Sequence, residues 1–202
     1  STPIKSSAAS DVYKRQINSF GSTAIAGYSA GMRIESLSIV PMLAMGNAMS
    51  TFTAQNVGAG KINRVKEGYR MCYVIVLTAG AVLCVMYQLA GGAFVSLFLD
   101  SGSSEAYSVW LSYVKFLSFF YSFIGLKAST DGLLRGAGDV TAFTVANLVN
   151  LAIRVSVTNL FAPIYGIQVA WMAVPLGWAA NYVISFGWYL TGKWKKVRVI
   201  KK

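Results

Sequence analysis

The sequence feature that most constrains the fold is an uninterrupted stretch without charge, from Met71 to Leu99. A helix of this length, at about 1.5 Å per residue, exceeds the roughly 20 residues that cross the apolar part of a bilayer. Composition agrees, since 55% of the residues are hydrophobic and only 12% are charged, whereas soluble domains carry about 25% charged residues. The stretch therefore predicts a transmembrane helix.

Four further apolar stretches meet the same criterion when single embedded polar residues are allowed. They run at about Ala24 to Val57, Tyr107 to Leu134, Thr141 to Pro163 and Ile167 to Leu190. The first is longer than one perpendicular crossing needs, and Pro41 inside it removes a backbone donor, which predicts a kinked or tilted helix. The predicted fold class is all-α, a polytopic helical membrane protein with about five transmembrane helices.

The segments between these stretches alternate in charge, and Lys and Arg gather on the cytoplasmic side of membranes. The segment after the second stretch carries Asp100 and Glu105, and "APIYG" after the fourth is uncharged. The segments after the first, third and fifth stretches are basic and contain Lys61, Arg64, Lys66, Arg70, Arg135, Lys193, Lys195, Lys196, Arg198, Lys201 and Lys202. We expect a multi-pass protein of the cell (plasma) membrane with a cytoplasmic C-terminus, whose basic clusters contact membrane lipid and no nucleic acid.

The same alternation places residues 18–22 outside, so a protein that starts in the cytoplasm needs one more helix upstream. We therefore expect the chain to be truncated. Residues 1–16 are polar, lack the apolar core of a signal peptide, and would put Lys14 and Arg15 on the wrong side. We interpret 1–16 as a foreign or disordered N-terminal segment, 17–196 as the transmembrane lobe and 197–202 as a basic cytoplasmic tail.

Histidine is absent, which removes Ser-His-Asp triads, His-ligated metals and HExxH proteases. A membrane enzyme such as an acyl or glycosyl transferase would need a histidine or a cluster of acids near an interface, so we predict that the chain is not an enzyme. No bound metal and no cofactor are predicted. A channel is disfavoured because the sequence has no repeated pore-loop signature, and Cys72 and Cys84, about 18 Å apart along one helix, cannot form a disulfide.

A glycine-rich basic segment, "QNVGAGKINR" at residues 55–64, resembles a phosphate-binding loop at first sight. A Walker A loop would need glycine at Gln55 and serine or threonine at Ile62, and a dinucleotide-binding loop would need glycine at Asn63. The segment is better interpreted as the end of a helix at the cytoplasmic interface, where Gly58 and Gly60 allow a turn and the basic side chains face lipid headgroups.

Four motifs in order resemble the multidrug and toxic compound extrusion (MATE) transporters. They are "AIAGYSAGMRIESLSIVP", "GNAMSTFTAQNVGAGKINRVKEGYR", "GLLRGAGDVTAF" and "WMAVPLGW". The resemblance covers about Ile17 to Lys196 and is closest to the C-terminal lobe of that family. It implies helices eight to twelve of a twelve-helix, two-lobe antiporter that exports lipophilic or cationic small molecules by alternating access, driven by H⁺ or Na⁺, with a missing N-terminal lobe as partner.

The resemblance leaves the coupling ion open. Some family members carry an acidic residue about a dozen positions before the arginine that matches Arg135, where this chain has the apolar Ile124. In other members a carboxylate of the N-terminal lobe takes the proton. A flippase for lipid-linked sugars is the alternative function, because it would prefer a cationic cavity and the chain embeds Arg33 and Arg154.

Ionisable groups inside a bilayer cost at least about 2.5 kcal/mol each, so each needs a partner or a purpose. Glu35 is an ion-coupling candidate because a carboxyl removed from water could exchange a proton, or hold Na⁺ together with nearby carbonyl groups. The other interpretation is a structural ion pair of Glu35 with Arg154, or with Arg33 through a neighbouring helix. Arg33 and Glu35 are two positions apart and cannot face each other on one helix.

Lys127, Asp131 and Arg135 follow one another at i, i+4 near the end of the third stretch. This spacing predicts a ladder of charges on one helix face, either as a gate latch or as interfacial salt bridges that anchor the helix end. Asp131 is therefore a second ion-coupling candidate, and Lys127, Arg135, Arg33 and Arg154 are structural or gating charges.

Amides and soft side chains within the apolar stretches are the substrate-cavity candidates. The amides could line a polar cavity or join helices by hydrogen bonds, and methionine and aromatic groups suit lipophilic cations. The candidates are Met42, Met45, Asn47, Tyr121, Asn147 and Asn150. Pairs of small residues four apart predict close helix packing instead, namely Gly27 with Gly31, Ala44 with Ala48, and Gly132 with Gly136.

Overall fold

The computed structural model describes residues 22–96, 104–165 and 167–196. These residues form α1 (Ser22–Gly58), α2 (Ile62–Ser96), α3 (Ser104–Ser118), α4 (Tyr121–Gly136), α5 (Val140–Tyr165), α6 (Ile167–Leu190) and a final 3₁₀ turn (Lys193–Lys196). Within these ranges there is no strand, so the predicted all-α fold class is confirmed.

Three of the described segments are long and apolar enough to cross a membrane: Glu35–Gly58, Ile62–Ser96 and Val140–Ile164. Their outward faces carry large apolar side chains, of which Leu89 is 84% and Ile164 is 70% exposed. Such faces suit contact with lipid chains rather than water. Pro41 lies inside the uninterrupted α1.

The predicted third span is wrong as a single helix, because it divides into α3 and α4 at Phe119 and Phe120. At the break, the carbonyl oxygen of Lys115 accepts hydrogen bonds from Gln88 Nε2 of α2 (2.9 Å) and from Ser118 Oγ (2.7 Å). These side chains satisfy a carbonyl group at the point where a helix end lacks backbone donors. The bend therefore depends on α2, which the apolar pattern could not show.

The turn between α1 and α2 confirms the interpretation of residues 55–64 as a helix end. Gly60 has φ +70°, and the Lys61 N–H donates to the Asn56 carbonyl oxygen at 2.8 Å. A left-handed residue followed by this six-residue hydrogen bond is the usual way in which a helix ends at glycine.

A second turn of the same design joins α4 to α5. Gly138 has φ +85°, and the Asp139 N–H donates to the Leu134 carbonyl oxygen at 2.9 Å. Both turns carry the sequence Gly-Ala-Gly, and each places its left-handed glycine at the third position. The repeated tripeptide therefore marks two equivalent helix ends.

The backbones of α1 and α4 approach each other closely at small residues. A Cβ atom added to Gly132 would collide with the Gly46 carbonyl oxygen, and one added to Gly136 would collide with the Ser50 carbonyl oxygen. The predicted close packing at Gly132 and Gly136 is therefore confirmed.

The other predicted pairs of small residues have different outcomes. The side chains of Ala44 and Ala48 are exposed, so the prediction that they pack closely within this lobe is wrong. Gly46 and Ser50, two positions further along α1, make the contact instead because they face α4. Gly27 and Gly31 lie outside the residues whose surroundings the structure describes.

Candidate functional site

Asp131 is the centre of a buried polar network that joins α4, α5 and α6. Its side chain is buried, and its Oδ2 forms an ion pair with Lys127 Nζ at 3.0 Å. The same oxygen accepts a hydrogen bond from Asn147 Nδ2 at 3.2 Å, and Oδ1 accepts one from Ser185 Oγ at 2.6 Å. Three helices therefore share one carboxylate.

Lys127 and Asn147 complete this arrangement. Lys127 Nζ also donates to Asn147 Oδ1 at 3.1 Å, and Asn147 Nδ2 lies 2.8 Å from the Phe143 carbonyl oxygen one turn back on α5. Asn147 thus joins α5 to α4. The first step of the predicted charge ladder, from Lys127 to Asp131, is confirmed as an ion pair, and Asp131 is 4% exposed. Its role as a gate latch or as an interfacial anchor stays a prediction.

The second step of the predicted ladder, an ion pair between Asp131 and Arg135, is wrong, because no such pair forms among the described residues. Arg135 Nη2 donates to Asn47 Oδ1 at 2.8 Å and its Nε to Ser50 Oγ at 3.3 Å. Its side chain is exposed at the end of α4, where the polar groups of α1 are its nearest acceptors, whereas Asp131 is already bound inside the lobe. Arg135 and Asn47 therefore connect α4 to α1.

Glu35 lies in a second buried site, between α1 and α3. The side chain is 9% exposed, and its Oε2 accepts a hydrogen bond from the Tyr113 hydroxyl at 2.8 Å. The Tyr113 ring packs between Trp110 and Trp171, with ring centroids 5.8 and 5.3 Å away. Aromatic rings of α3 and α6 thus fix the orientation of the hydroxyl that binds the carboxylate.

The expected ion pair between Glu35 and Arg154 is not formed. Arg154 acts electrostatically on Glu35, but among the described residues the only ion pair within 4.0 Å is Lys127 with Asp131. The prediction of direct pairing with Arg154 is therefore wrong. The side chain of Arg33 lies outside the described residues, so pairing with Arg33 stays a prediction.

The side chain of Arg154 packs against α6 at Gly177. A Cβ atom added to Gly177 would collide with Asn150 Oδ1 and would lie 2.9 Å from Arg154 Cγ. Among the residues that the structure describes, Asn150 Oδ1 is buried without a hydrogen-bond partner, as is Asn181 Nδ2 on α6. Asn150 therefore does not join helices through this oxygen, and its assignment to a polar cavity stays a prediction.

Two of the predicted cavity residues lie in the packed core. Met42 is 0% and Tyr121 is 1% exposed, and a Cβ atom added to Gly125 would lie 3.0 Å from Met42 Sδ. The prediction that they line a cavity is wrong for this lobe, because the faces of α1 and α4 that carry them point toward each other. Met45 is partly buried against the same core.

A tyrosine network between α2, α4 and α6 was missed from the sequence. The hydroxyl of Thr130 shares hydrogen bonds with Tyr69 (2.7 Å) and Tyr73 (2.9 Å), and the two tyrosine hydroxyls bond to each other. Tyr73 also donates to the Tyr182 hydroxyl at 3.3 Å. The i, i+4 spacing of Tyr69 and Tyr73 is the signal that could have indicated a shared face.

A family model supplies the comparison that decides the identity of the chain. The model of the MatE family matches residues 14–161. The chain belongs to the MatE family. This confirms the resemblance to multidrug and toxic compound extrusion transporters that the four motifs indicate.

Relatives of this MatE chain include two named bacterial proteins. "Probable multidrug resistance protein YpnP" of Bacillus subtilis is 28% identical over 184 residues, which cover 91% of this chain and 41% of the relative. "Probable multidrug resistance protein NorM" of Thermotoga maritima is 22% identical over 191 residues, covering 90% and 39%. The chain thus spans about two-fifths of the length of these relatives.

Solved MatE structures share the fold. A structure described as the outward-facing conformation of a multidrug resistance MATE family transporter matches with a TM-score of 0.82 and 20% identity, over 95% of this chain and 44% of that one. The corresponding inward-facing structure matches with a TM-score of 0.78 and 16% identity, over 94% and 41%. Membership of the MatE family and the three long apolar helices together place the chain in the membrane.

In this MatE lobe the two buried carboxyl groups differ in their surroundings. Asp131 has one cationic and two neutral donors, whereas Glu35 has the Tyr113 hydroxyl. Among the residues that the structure describes, no three Cys, Asp or Glu side chains come together as a metal site.

Proposed function

We propose that this chain is one lobe of a cation-coupled antiporter that exports lipophilic or cationic small molecules. Membership of the MatE family supports transport, and the names of the relatives YpnP and NorM support multidrug export. The 41% of YpnP that the chain covers suits one of two lobes. A second lobe would supply the other wall of the substrate cavity, and the two would alternate between inward and outward access.

The observation that carries ion coupling is the position of Glu35. Its carboxyl group is buried and accepts a hydrogen bond from the neutral Tyr113 hydroxyl. Arg154 acts on it electrostatically without a direct ion pair. Among the residues whose side chains the structure describes, none forms a salt bridge with Glu35, so exchange of a proton or Na⁺ at this group would break only the hydrogen bond from Tyr113. Neutralising a buried carboxylate changes its interaction with Arg154 on α5, which links ion binding to the relative position of helices.

Asp131 is the second coupling group that we consider, and its geometry favours a different role. A cation at Asp131 would have to displace the Lys127 ammonium group at 3.0 Å. The carboxylate also holds α5 and α6 through Asn147 and Ser185. We infer that Asp131 and Lys127 hold the helices of the lobe together during transport.

Replacing Glu35 in the complete two-lobe protein tests the proposal. Glu35→Gln keeps the size of the side chain but cannot exchange a proton, so gradient-driven dye efflux from cells should be abolished at normal expression. The matched control is Glu105→Gln, which removes a glutamate carboxylate that precedes the third apolar stretch of the sequence and should leave efflux unchanged. Normal efflux by Glu35→Gln would contradict the coupling role.

Export of a lipid-linked sugar is the alternative function, and Arg154 is the observation that favours it. Arg154 is a half-buried cation without a direct ion pair to the described carboxylates, and such a cation could bind a phosphate group. Flipping of lipid-linked sugar in vesicles, measured beside dye efflux, separates the two functions. Sugar flipping without dye efflux would replace the antiporter proposal.

A further inference from the structure

A polar cavity of about 400 Å³ lies on the surface between the start of α2 and the end of α6. Asn63, Lys66, Glu67 and Arg70 of α2 line it together with Tyr189 of α6. The four α2 side chains are exposed. Two cationic groups and one anionic group therefore surround a space that opens to the exterior of the lobe.

The depth of this cavity corresponds to the headgroup layer of a membrane. Arg70 directly precedes Met71, where the uncharged stretch of α2 begins, and α6 ends at Leu190, one residue after Tyr189. The polar layer of a bilayer is about 5–8 Å thick on each side of the apolar core, which is about one helical turn. Lys66 and Arg70 therefore lie where lipid phosphate groups lie.

Aromatic packing forms a fixed wall on the α6 side. The Tyr189 ring packs against Tyr69 with a centroid distance of 4.6 Å and stacks on Trp194 at 5.6 Å. Trp194 is 0% exposed, and its Nε1 donates to the Tyr189 carbonyl oxygen at 3.1 Å. The α6 wall of the cavity is therefore fixed before a ligand binds, which reduces the entropy cost of ordering that side of the site.

Further positive charge surrounds this wall. Lys195 Nζ lies 5.7 Å from the centroid of the Trp194 ring, and Lys193 Nζ lies 5.3 Å from that of Trp188. Together with Lys66 and Arg70 they outnumber the nearby carboxylates, which are Glu67 in the cavity and Asp139, the acceptor of a hydrogen bond from Trp188 Nε1 at 2.7 Å. An anionic ligand is thus favoured over a cationic one.

The apolar surface next to the cavity identifies the ligand as a lipid. The helix face that carries Lys66 and Arg70 continues at i+4 spacing to Val74, which is 56% exposed, and then to Leu77, which is 43% exposed. A free phosphate would use only the polar end of this face. A phospholipid would use both ends, with its phosphate at the cations and its acyl chains along the apolar side chains.

We propose that this cavity binds the headgroup of an anionic phospholipid. Lys66 and Arg70 donate to the phosphate oxygens, Arg70 with the planar donor geometry that matches phosphate. Asn63 and Glu67 bind hydroxyl groups of the headgroup, as in phosphatidylglycerol, whose glycerol carries two. This site lies outside the two buried carboxylate sites and does not depend on the proposed transport function.

The experiment compares lipid retention by the 202-residue chain and two double variants, using native mass spectrometry from detergent micelles. Lys66→Gln with Arg70→Gln removes the cations of the cavity. Lys61→Gln with Arg64→Gln removes the same charge from exposed positions that do not line it. Each protein is titrated with dioleoylphosphatidylglycerol, dioleoylphosphatidylcholine and inorganic phosphate.

Wild type and the Lys61/Arg64 variant should retain phosphatidylglycerol in preference to phosphatidylcholine. The Lys66/Arg70 variant should lose that preference by about tenfold or more, since each cation near a lipid surface adds roughly a factor of five. Equal losses in both double variants would show attraction by net charge alone and overturn the proposal. Displacement of the lipid by millimolar inorganic phosphate would also overturn it, because the acyl chains would then contribute nothing.

A third variant tests the site without changing the charge of the protein or a buried side chain. Asn63→Leu leaves every charge in place at an exposed helix position, so the fold is retained and only the headgroup hydroxyl contact is lost. It should reduce the retention of phosphatidylglycerol several-fold. Unchanged retention by Asn63→Leu and by the Lys66/Arg70 variant would reject the site.

Discussion

Gly132 of α4 lies against the backbone of Gly46 of α1, so that a single added methyl group on Gly132 would collide with the Gly46 carbonyl oxygen. This contact holds together the two helices that carry the separate polar sites, since α1 bears Glu35 and α4 bears Asp131. Backbone contact of this kind stabilises helix pairs in membranes, where apolar side chains gain little by leaving lipid.

Gly132→Ala should destabilise the lobe, because the obstacle is a backbone atom that cannot rotate away. Overpacking of this kind costs about 1–3 kcal/mol, and the melting temperature in detergent should fall. The control is Gly187→Ala on α6, where an added Cβ meets nothing within 4 Å. That control should be neutral or slightly stabilising. Equal melting temperatures for both variants would mean that α1 and α4 are not in backbone contact.

The pair Lys127 and Asp131 should behave as a coupled unit. Asp131→Asn leaves the Lys127 ammonium group without its counter-ion in a buried site, which costs about 3–5 kcal/mol in other proteins. Adding Lys127→Met removes that unpaired charge, so the double variant should be more stable than the sum of the single effects predicts. Thermal unfolding of the wild type, both single variants and the double variant measures the coupling, and strict additivity would show that no ion pair forms.

The left-handed glycine between α1 and α2 provides a prediction with an internal control. Gly60→Ala places a Cβ atom at φ +70°, which costs about 1–2 kcal/mol. Gly58→Ala, two residues earlier in the same turn, has equally open surroundings but no positive φ. Only Gly60→Ala should lower the melting temperature, and a matching decrease for Gly58→Ala would contradict the observed turn.

Tyr113→Phe removes the hydroxyl that donates to Glu35 and keeps the ring that packs between Trp110 and Trp171. A hydrogen bond to a charged group contributes about 1.5–3 kcal/mol, so dye efflux by the complete transporter should fall about tenfold while expression stays normal. The control Tyr107→Phe removes a hydroxyl that donates to the Gly92 carbonyl oxygen at 3.1 Å and should leave efflux unchanged. Similar losses in both variants would indicate general damage to α3.

The sequence predicted helices and turns well where the signal is local. The uncharged stretch after Arg70 identifies α2, and Gly58 and Gly60 mark the end of α1. The break at Phe119 was not predicted because no glycine or proline marks it, and the donor that stabilises it, Gln88, is on another helix. A contact between segments that are far apart in sequence produces no periodic pattern in either segment.

The sequence identified polar residues of the site, but it did not always identify the residue to which each one bonds. Lys127 and Asp131 are four apart on one helix, and their ion pair followed from that spacing. Arg135 stands at the same spacing but bonds to Asn47, which is 88 positions away in sequence. Met42 was predicted to line the substrate cavity but lies in the packed core, because spacing does not show which face meets a neighbour.

The sequence by itself determined that this chain is a helical membrane protein, because helix length, lack of charge and glycine turns are local properties of the chain. Its four motifs and the match to the family model placed it in the MatE family. Only the tertiary structure decided which donors reach Asp131, that Tyr113 rather than Arg154 binds Glu35, and that α2 and α6 enclose a basic cavity. These relationships depend on helix rotation and crossing, which are set by packing between surfaces far apart in sequence.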